Sequence, residues 1–180
     1  MINNRLKEPL NKIRRKDRAK DDAWIRSFLH RAPMGTMATT CDGQPFLVTR
    51  NFAFDEATHA IYMHGAMKGR SIENVQANPR VCFSISEMGR LLPADEAIKF
   101  GAEYAGVVVF GRASLVTDAE EAAHGLQLLL DKYFPHLKPR VDYKPISPEA
   151  LKITAVFRID IESWSGKEKK VADDFPGAFY

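Results

Sequence analysis

The sequence predicts a mainly β protein, a small antiparallel β-barrel of about six strands with flanking helices. Three observations carry that expectation. Apolar residues gather in short runs bounded by Gly, Pro, Asn and Asp. Early runs are joined by turns as tight as Asp42-Gly43, too short for a crossover helix, which favours antiparallel neighbours. A long alternating run over residues 153–164 can then close the sheet and remove the edges an open one would leave.

Residues 1–16 permit a helix broken at Pro9. Ala23, Trp24, Ile25, Phe28 and Leu29 recur at helical spacing after Asp21 and Asp22, so residues 21–31 read as an amphipathic helix, with Trp24 as a core anchor. Residues 34–41 form the first expected strand. Residues 44–54 form its return, with Phe46, Val48 and Phe52 on one side, and residues 60–64 the third, in a meander. Ser71 is expected to cap a helix over 72–77, stopped by Asn78-Pro79, before a strand over 80–86. Residues 87–103 have no sustained period and read as a loop, or a loop holding a short helix over 95–100. Residues 104–116 form a long strand whose Val107-Val108-Val109-Phe110 run suggests burial on both faces. Asp118 should cap a helix ending near Tyr133, with Ala122, Ala123, Leu126, Leu129 and Leu130 inward. Pro135, Pro139, Pro145 and Pro148 punctuate a loop before the last strand.

The 180 residues, 45% apolar and 27% charged, suit one globular domain over 1–180, with 1–20 a basic extension and 168–180 a tail. No apolar run approaches the ~20 residues of a membrane span, and the basic N-terminus lacks the apolar core of a secretory signal. Cys41 and Cys82 have neither metal-type spacing nor a disulfide framework and read as reduced thiols of a cytoplasmic protein. The net charge of +3 gathers between Arg5 and Lys20, where a solvated face is a simpler reading than nucleic-acid contact. His59, His64, His124 and His136 are scattered without a metal-ligand pattern, and neither a nucleophile signature nor a Walker loop is present.

What remains is the turn Lys68-Gly69-Arg70-Ser71, between an apolar run ending at His64 and the start of a helix. Helix N-termini carry unpaired N–H groups and partial positive charge, and Lys68 and Arg70 add full charges, so the turn suits a phosphate. It would equally serve as a solvated basic turn. Gly65 and Gly69 permit close backbone approach. In a meander the run containing Val48, Thr49, Arg50 and Asn51 would lie beside it and offer backbone groups to a flat heterocycle.

The segments GQPFLV (43–48), AIYMHGAMKGRS (60–71) and IENVQANPRVCF (72–83) resemble the pyridoxamine 5′-phosphate oxidase-like split β-barrel flavoproteins, and within them the nitroimidazole-resistance-like, flavin-nucleotide-binding branch. YAGVVVFGRA (104–113) and RIDIESWSGK (158–167) resemble two further strands of that branch. The resemblance implies an FMN-binding split barrel, with FMN at a homodimer interface. Lys68, Arg70 and Ser71 would bind the phosphate, with His64 close by, and Val48, Thr49, Arg50 and Asn51 would line the ring. Tyr104 and Trp164 would reach the cofactor from the second subunit. The implied activity is an oxidoreductase passing electrons from NAD(P)H to a small organic acceptor such as a nitro-compound. The alternatives are a non-catalytic flavin or haem binder, with His64 or His124 on iron, or a deazaflavin in place of FMN. Arg50 and Lys167 are candidates to stabilise the reduced ring, and His64 is a candidate proton donor. Two departures stand out: Gly106 replaces a usual serine, and the ending DFPGAFY lacks the Arg-Leu-x-Pro of enzymes that oxidise vitamin B6.

Overall fold

Eight antiparallel strands form one sheet in the computed structural model of the protein, which describes residues 9–180. The strands are β1 (Ala19–Lys20), β2 (Gly35–Cys41), β3 (Gln44–Arg50), β4 (Ala53–Asp55), β5 (Ala60–Ala66), β6 (Arg80–Leu92), β7 (Gly101–Leu115) and β8 (Thr154–Lys169). Four α-helices accompany them: α1 (Asp22–Arg31), α2 (Arg70–Ala77), α3 (Ala119–Tyr133) and α4 (Pro148–Ile153). The order across the sheet is β3-β2-β6-β7-β8-β5-β4, with β1 paired to the far end of β8.

That order places two consecutive strands, β3 and β4, at opposite edges. Only Asn51 and Phe52 join them. A connection this short keeps the Cα atoms of Arg50 and Ala53 within roughly 11 Å. The sheet therefore curls until its edges face each other, without a hydrogen-bonded ladder between them. The architecture is a split barrel, as expected.

The six expected strands become eight for two local reasons. Residues 44–54 were read as one strand, but β2 runs out opposite Arg50, where Gly35 pairs with it, and the chain crosses to pair β4 with β5. The other addition is two-residue β1. The expected meander, with β3 beside β5, does not form: β3 pairs only with β2, and β5 lies between β4 and β8.

The irregular stretch 87–103 is mostly strand. β6 continues to Leu92 and β7 begins at Gly101, with a register shift between Met88 and Leu91 and a 3-10 turn over Ala97–Lys99. Its alternation was masked by that bulge and by an inward Glu103. β7 is buried on one face only: Val107 and Val109 are inside while Val108 and Phe110 are half-exposed. Ser147 accepts from the Ala150 amide and caps α4, with Pro148 in its first turn, so the last strand starts at Thr154 after an unexpected helix. Of the expected N-terminal helix, residues 1–8 lie outside the described residues, and 9–15 are not helical.

The main core fills the barrel: Met37, Phe52, Phe83, Val107, Phe157 and Ile159 are fully buried beneath Ile25, Phe28 and Leu29 of α1. Each such side chain contributes about 1.5–3 kcal/mol through apolar burial. Asp21 caps α1 by accepting from the Trp24 amide, and Trp24 stacks on Phe28 at 4.9 Å. A smaller cluster on the outer face packs Tyr62 and Val156 under Ala122 of α3.

Tyr133, the last residue of α3, fixes the connection between the sheet edges. Its hydroxyl accepts from the Phe52 amide at 3.0 Å and has the carbonyls of Pro33 and Phe52 in range for its proton, at 2.7 and 3.0 Å. Leaving the Phe52 amide unpaired costs about 1–3 kcal/mol. Tyr133→Phe should therefore lower unfolding free energy by that amount in urea titrations, with the far-ultraviolet circular dichroism of the native state preserved.

The C-terminal residues are docked. Arg90 donates to both carboxylate oxygens of Glu103 at 2.9 and 3.0 Å and to the carbonyls of Ala172 and Asp173, while the Val171 amide donates to Glu103 at 2.9 Å. Arg90 and the Val171 amide hold the Glu103 carboxyl at about 2, against an ordinary 4.5. A carboxylate depressed in the folded state stabilises above its unfolded value and loses that contribution as pH falls toward its folded one. The tail should thus release between pH 4.5 and about 2, read as narrowing of the Phe179 and Tyr180 proton resonances, and Glu103→Gln should produce the same narrowing at pH 7.

Candidate cofactor site

The turn Lys68-Gly69-Arg70-Ser71 lies between the end of β5 and the start of α2. Gly69 is the residue before the helix, at φ 126°, which only glycine adopts without strain. Its carbonyl accepts from the amides of Ile72 at 2.9 Å and Glu73 at 3.3 Å. The Arg70 and Ser71 amides precede any intrahelical acceptor and remain available to a ligand. A Cβ at Gly69 would have no neighbour within 4 Å, so approach is open.

Ser71 does not cap the helix as expected, because Gly69 occupies that position. Ser71 is buried in the first turn, and its Oγ accepts from Arg50 Nη2 at 3.0 Å. This bond crosses the seam, from the end of β3 to α2. Arg50 follows Phe46 and Val48 on the inward side of β3 and lies over the Phe157 ring at 5.0 Å. Its Nη1 is buried and has no hydrogen-bond partner among the described residues. Burial pushes the guanidinium pKa down, yet an arginine keeps its charge. A Cβ on Gly65 would come within 3.2 Å of Nη1, so glycine leaves room there.

Arg70 lies over the Phe46 ring at 5.2 Å, and Lys68 is exposed. Three cations thus surround a helix N-terminus, and the exposed Glu73 is the acid of that first turn. An unpaired buried guanidinium nitrogen is costly unless a ligand pairs with it. The guanidinium meets the helix start through Nη2 on Ser71 Oγ, and the positive charge gathered there suits a phosphate. The residues present suit a phosphate group.

The other expected residues distribute unevenly. Val48 packs against the barrel core, while Thr49 is exposed and its hydroxyl lies 2.8 Å from that of Thr36. Asn51 and His64 lie together on an apolar groove outside β5. Tyr104 is elsewhere in the subunit: it accepts from Arg18 Nη1 at 2.7 Å in a basic groove on the outer face of β6–β8, with Lys167 over its ring. Trp164 is also remote from the turn, donating to Asp22 at 2.8 Å and stacking edge-on with His59. His124 is held by Asp55 at 3.0 Å. Gly106 has a packing reason, since a Cβ there would meet the Ile85 carbonyl at 3.1 Å.

Sequence reasoning missed the Arg50–Ser71 bond and the walls of the groove beside His64. The first had a signal: a charged residue continues the i, i+2, i+4 face of Phe46 and Val48, so its side chain had to turn inward. The second had none, because α3 supplies those walls from more than sixty positions further along the chain.

A split barrel with a half-buried cation at its seam, hydrogen-bonded to the first turn of a helix with an open N-terminus, has the chemistry to hold a phosphorylated ligand. The chain belongs to the pyridoxamine 5′-phosphate oxidase family, whose model matches residues 21–168. No curated protein matches it. Among solved structures, the flavocytochrome Anf3 from Azotobacter vinelandii has a TM-score of 0.73 at 23% identity, covering 91% of this chain and 76% of that one. A protein assigned to 5-nitroimidazole antibiotic resistance in Bacteroides thetaiotaomicron gives 0.67 at 23%, covering 83% and 84%. A FAD-binding protein from Mesorhizobium loti gives 0.61 at 27%, covering 85% and 98%. Among the described residues, no helix is long and apolar enough to cross a membrane.

If the seam is an anion seat, inorganic phosphate should raise the Tm of flavin-free protein. A ligand at 100 times its Kd stabilises by about 2.7 kcal/mol. Differential scanning calorimetry should show this shift in the wild type and lose it in Arg70→Ala.

Proposed function

We propose that the protein is an FMN-dependent oxidoreductase, a homodimer that passes electrons from NAD(P)H to a small organic acceptor. The observation that carries this reading is the open N-terminus of α2 after Gly69, flanked by Lys68 and Arg70, with the Arg50 guanidinium donating to Ser71 Oγ. Lys68, Arg70 and Ser71 hold the FMN phosphate, and Arg50 braces Ser71 from behind with its charge. Val48, Thr49, Arg50 and Asn51 contribute the strand backbone that runs along the ring, with His64 at its side. Tyr104 and Trp164, remote from the turn in their own subunit, serve the site of a second copy.

Bound FMN supplies two-electron exchange with a nicotinamide and onward transfer to an acceptor. The chain's part is position and charge. Arg50, already tied to Ser71, works at the phosphate end, which leaves Lys167 as the candidate cation for the ring. The FAD-binding and flavocytochrome neighbours support a flavin on this fold.

The purified protein should be yellow, with a flavin spectrum bleached by NADH or NADPH under anaerobic conditions. Lys68→Ala combined with Arg70→Ala should abolish FMN retention in a protein of unchanged fold and oligomeric state, measured by released flavin per subunit. A colourless wild type that takes up no added FMN would overturn the assignment.

A further inference from the structure

The far end of the β6–β7 hairpin stands clear of its neighbouring strands. β2 pairs with β6 no further along than Ser84, and β8 pairs with β7 no nearer the tip than Tyr104, yet the hairpin ladder runs on to Leu92 opposite Gly101. This projecting end is apolar where it meets solvent: Met88 is 74% exposed, Phe100 61% and Ile98, in the connecting turn, 90%. Exposed apolar side chains gathered in this way mark an interaction surface. The turn is also acidic, with Asp95 and Glu96 ahead of Ile98 and Glu96 paired to Lys99.

The base of the same hairpin has the opposite charge. A groove of about 720 Å³ on the outer face of the sheet is lined by Lys12, Arg14, Arg15, Arg18 and Lys167, together with the apolar Val108. Among the described residues no aspartate or glutamate lines it, and Asp17 is taken up by Arg15 at 2.6 Å. Arg14 in the groove and Asp95 at the tip are both exposed, and neither side chain makes a hydrogen bond or ion pair among the described residues. The tip cannot fold back into its own groove. Ser86 and Leu92 are six residues apart on a hydrogen-bonded ladder, which holds the two regions about 20 Å from each other.

We propose that the hairpin tip of one copy docks in the basic groove of a second copy, and that the exchange is reciprocal. The proposal rests on the homodimer reading above and gives that dimer its surface. A two-fold contact is self-complementary, so each copy must carry both halves of the match. This chain does: Asp95 and Glu96 face the groove cations, and Ile98 and Phe100 bring the apolar body that Val108 receives. Met88 pairs with Tyr104 between groove and tip, so a two-fold axis near that pair sets each tip over the other's groove and covers Met88 with its own symmetry mate.

The test uses two charge-reversed full-length chains in sedimentation equilibrium. Asp95→Lys with Glu96→Lys reverses the tip, and Lys12→Glu with Arg14→Glu reverses the groove. Each alone should raise the dimer dissociation constant by about tenfold or more, because like charges then meet at both contacts. Mixing the two chains should restore tight association as a heterodimer, in which both contacts again join opposite charges. Ile98→Ser, at a solvated turn position that leaves the fold intact, should weaken the dimer without any change of charge, and raising the salt concentration should weaken the wild type. A dimer indifferent to both reversals, or reversed chains that do not associate on mixing, would overturn the docking while leaving the homodimer reading in place. A wild type that sediments as a monomer would overturn both.

Discussion

The rest of the structure depends on the short connection between β3 and β4. Two residues carry the chain from one edge of an eight-stranded sheet to the other, and the sheet must close around that distance. Closure here is covalent where a continuous barrel would use a ladder of hydrogen bonds. The cost is a connection with backbone groups that neither strand can satisfy. Tyr133 meets it at Phe52, and Lys132 joins α3 to the same region, its ammonium 3.8 Å from the Phe52 ring and donating to the Leu29 carbonyl. α3 is thereby more than a cover for the outer face. It fastens the seam.

The seam is also where the charge lies. Strands that do not pair leave room for a side chain to pass between them, and Arg50 uses that room to reach Ser71. A buried guanidinium normally demands a carboxylate. Here a hydroxyl satisfies part of it and the helix start adds positive potential instead of relieving it. Positive charge is thereby concentrated at the seam. Fold and site share one origin: the geometry that leaves the barrel unzipped also leaves a cation facing the gap.

Much of this was legible in the sequence, unevenly. Alternation and tight turns fixed the antiparallel character, and Asp21 and Asp118 each caps the helix expected of it. The basic turn stands at a helix start because Gly69 and the apolar spacing of Ile72 and Val75 permit nothing else nearby. Order across the sheet was not legible, since pairing between distant strands leaves no local mark, and the tight chain connection from β3 to β4 resembled one strand. The hairpin extension of β6 and β7 was hidden by the Arg90–Glu103 pair, which places charge where a period-2 pattern wants an apolar residue. Ser71 misled for a chemical reason: a serine at a helix start is read as a cap, and its actual partner is a guanidinium from twenty-one residues earlier.

The connection at Asn51-Phe52 finally sets a length, in the way a spacer sets the gap of a gauge. Loops on a protein surface usually absorb an extra residue at little cost. This one has no such slack. Each residue added there would let the sheet edges part by up to about 3.5 Å, more than the whole length of the bond that Arg50 makes to Ser71. The number of residues between the two strands is therefore as much a part of the ligand site as the identity of any side chain in it.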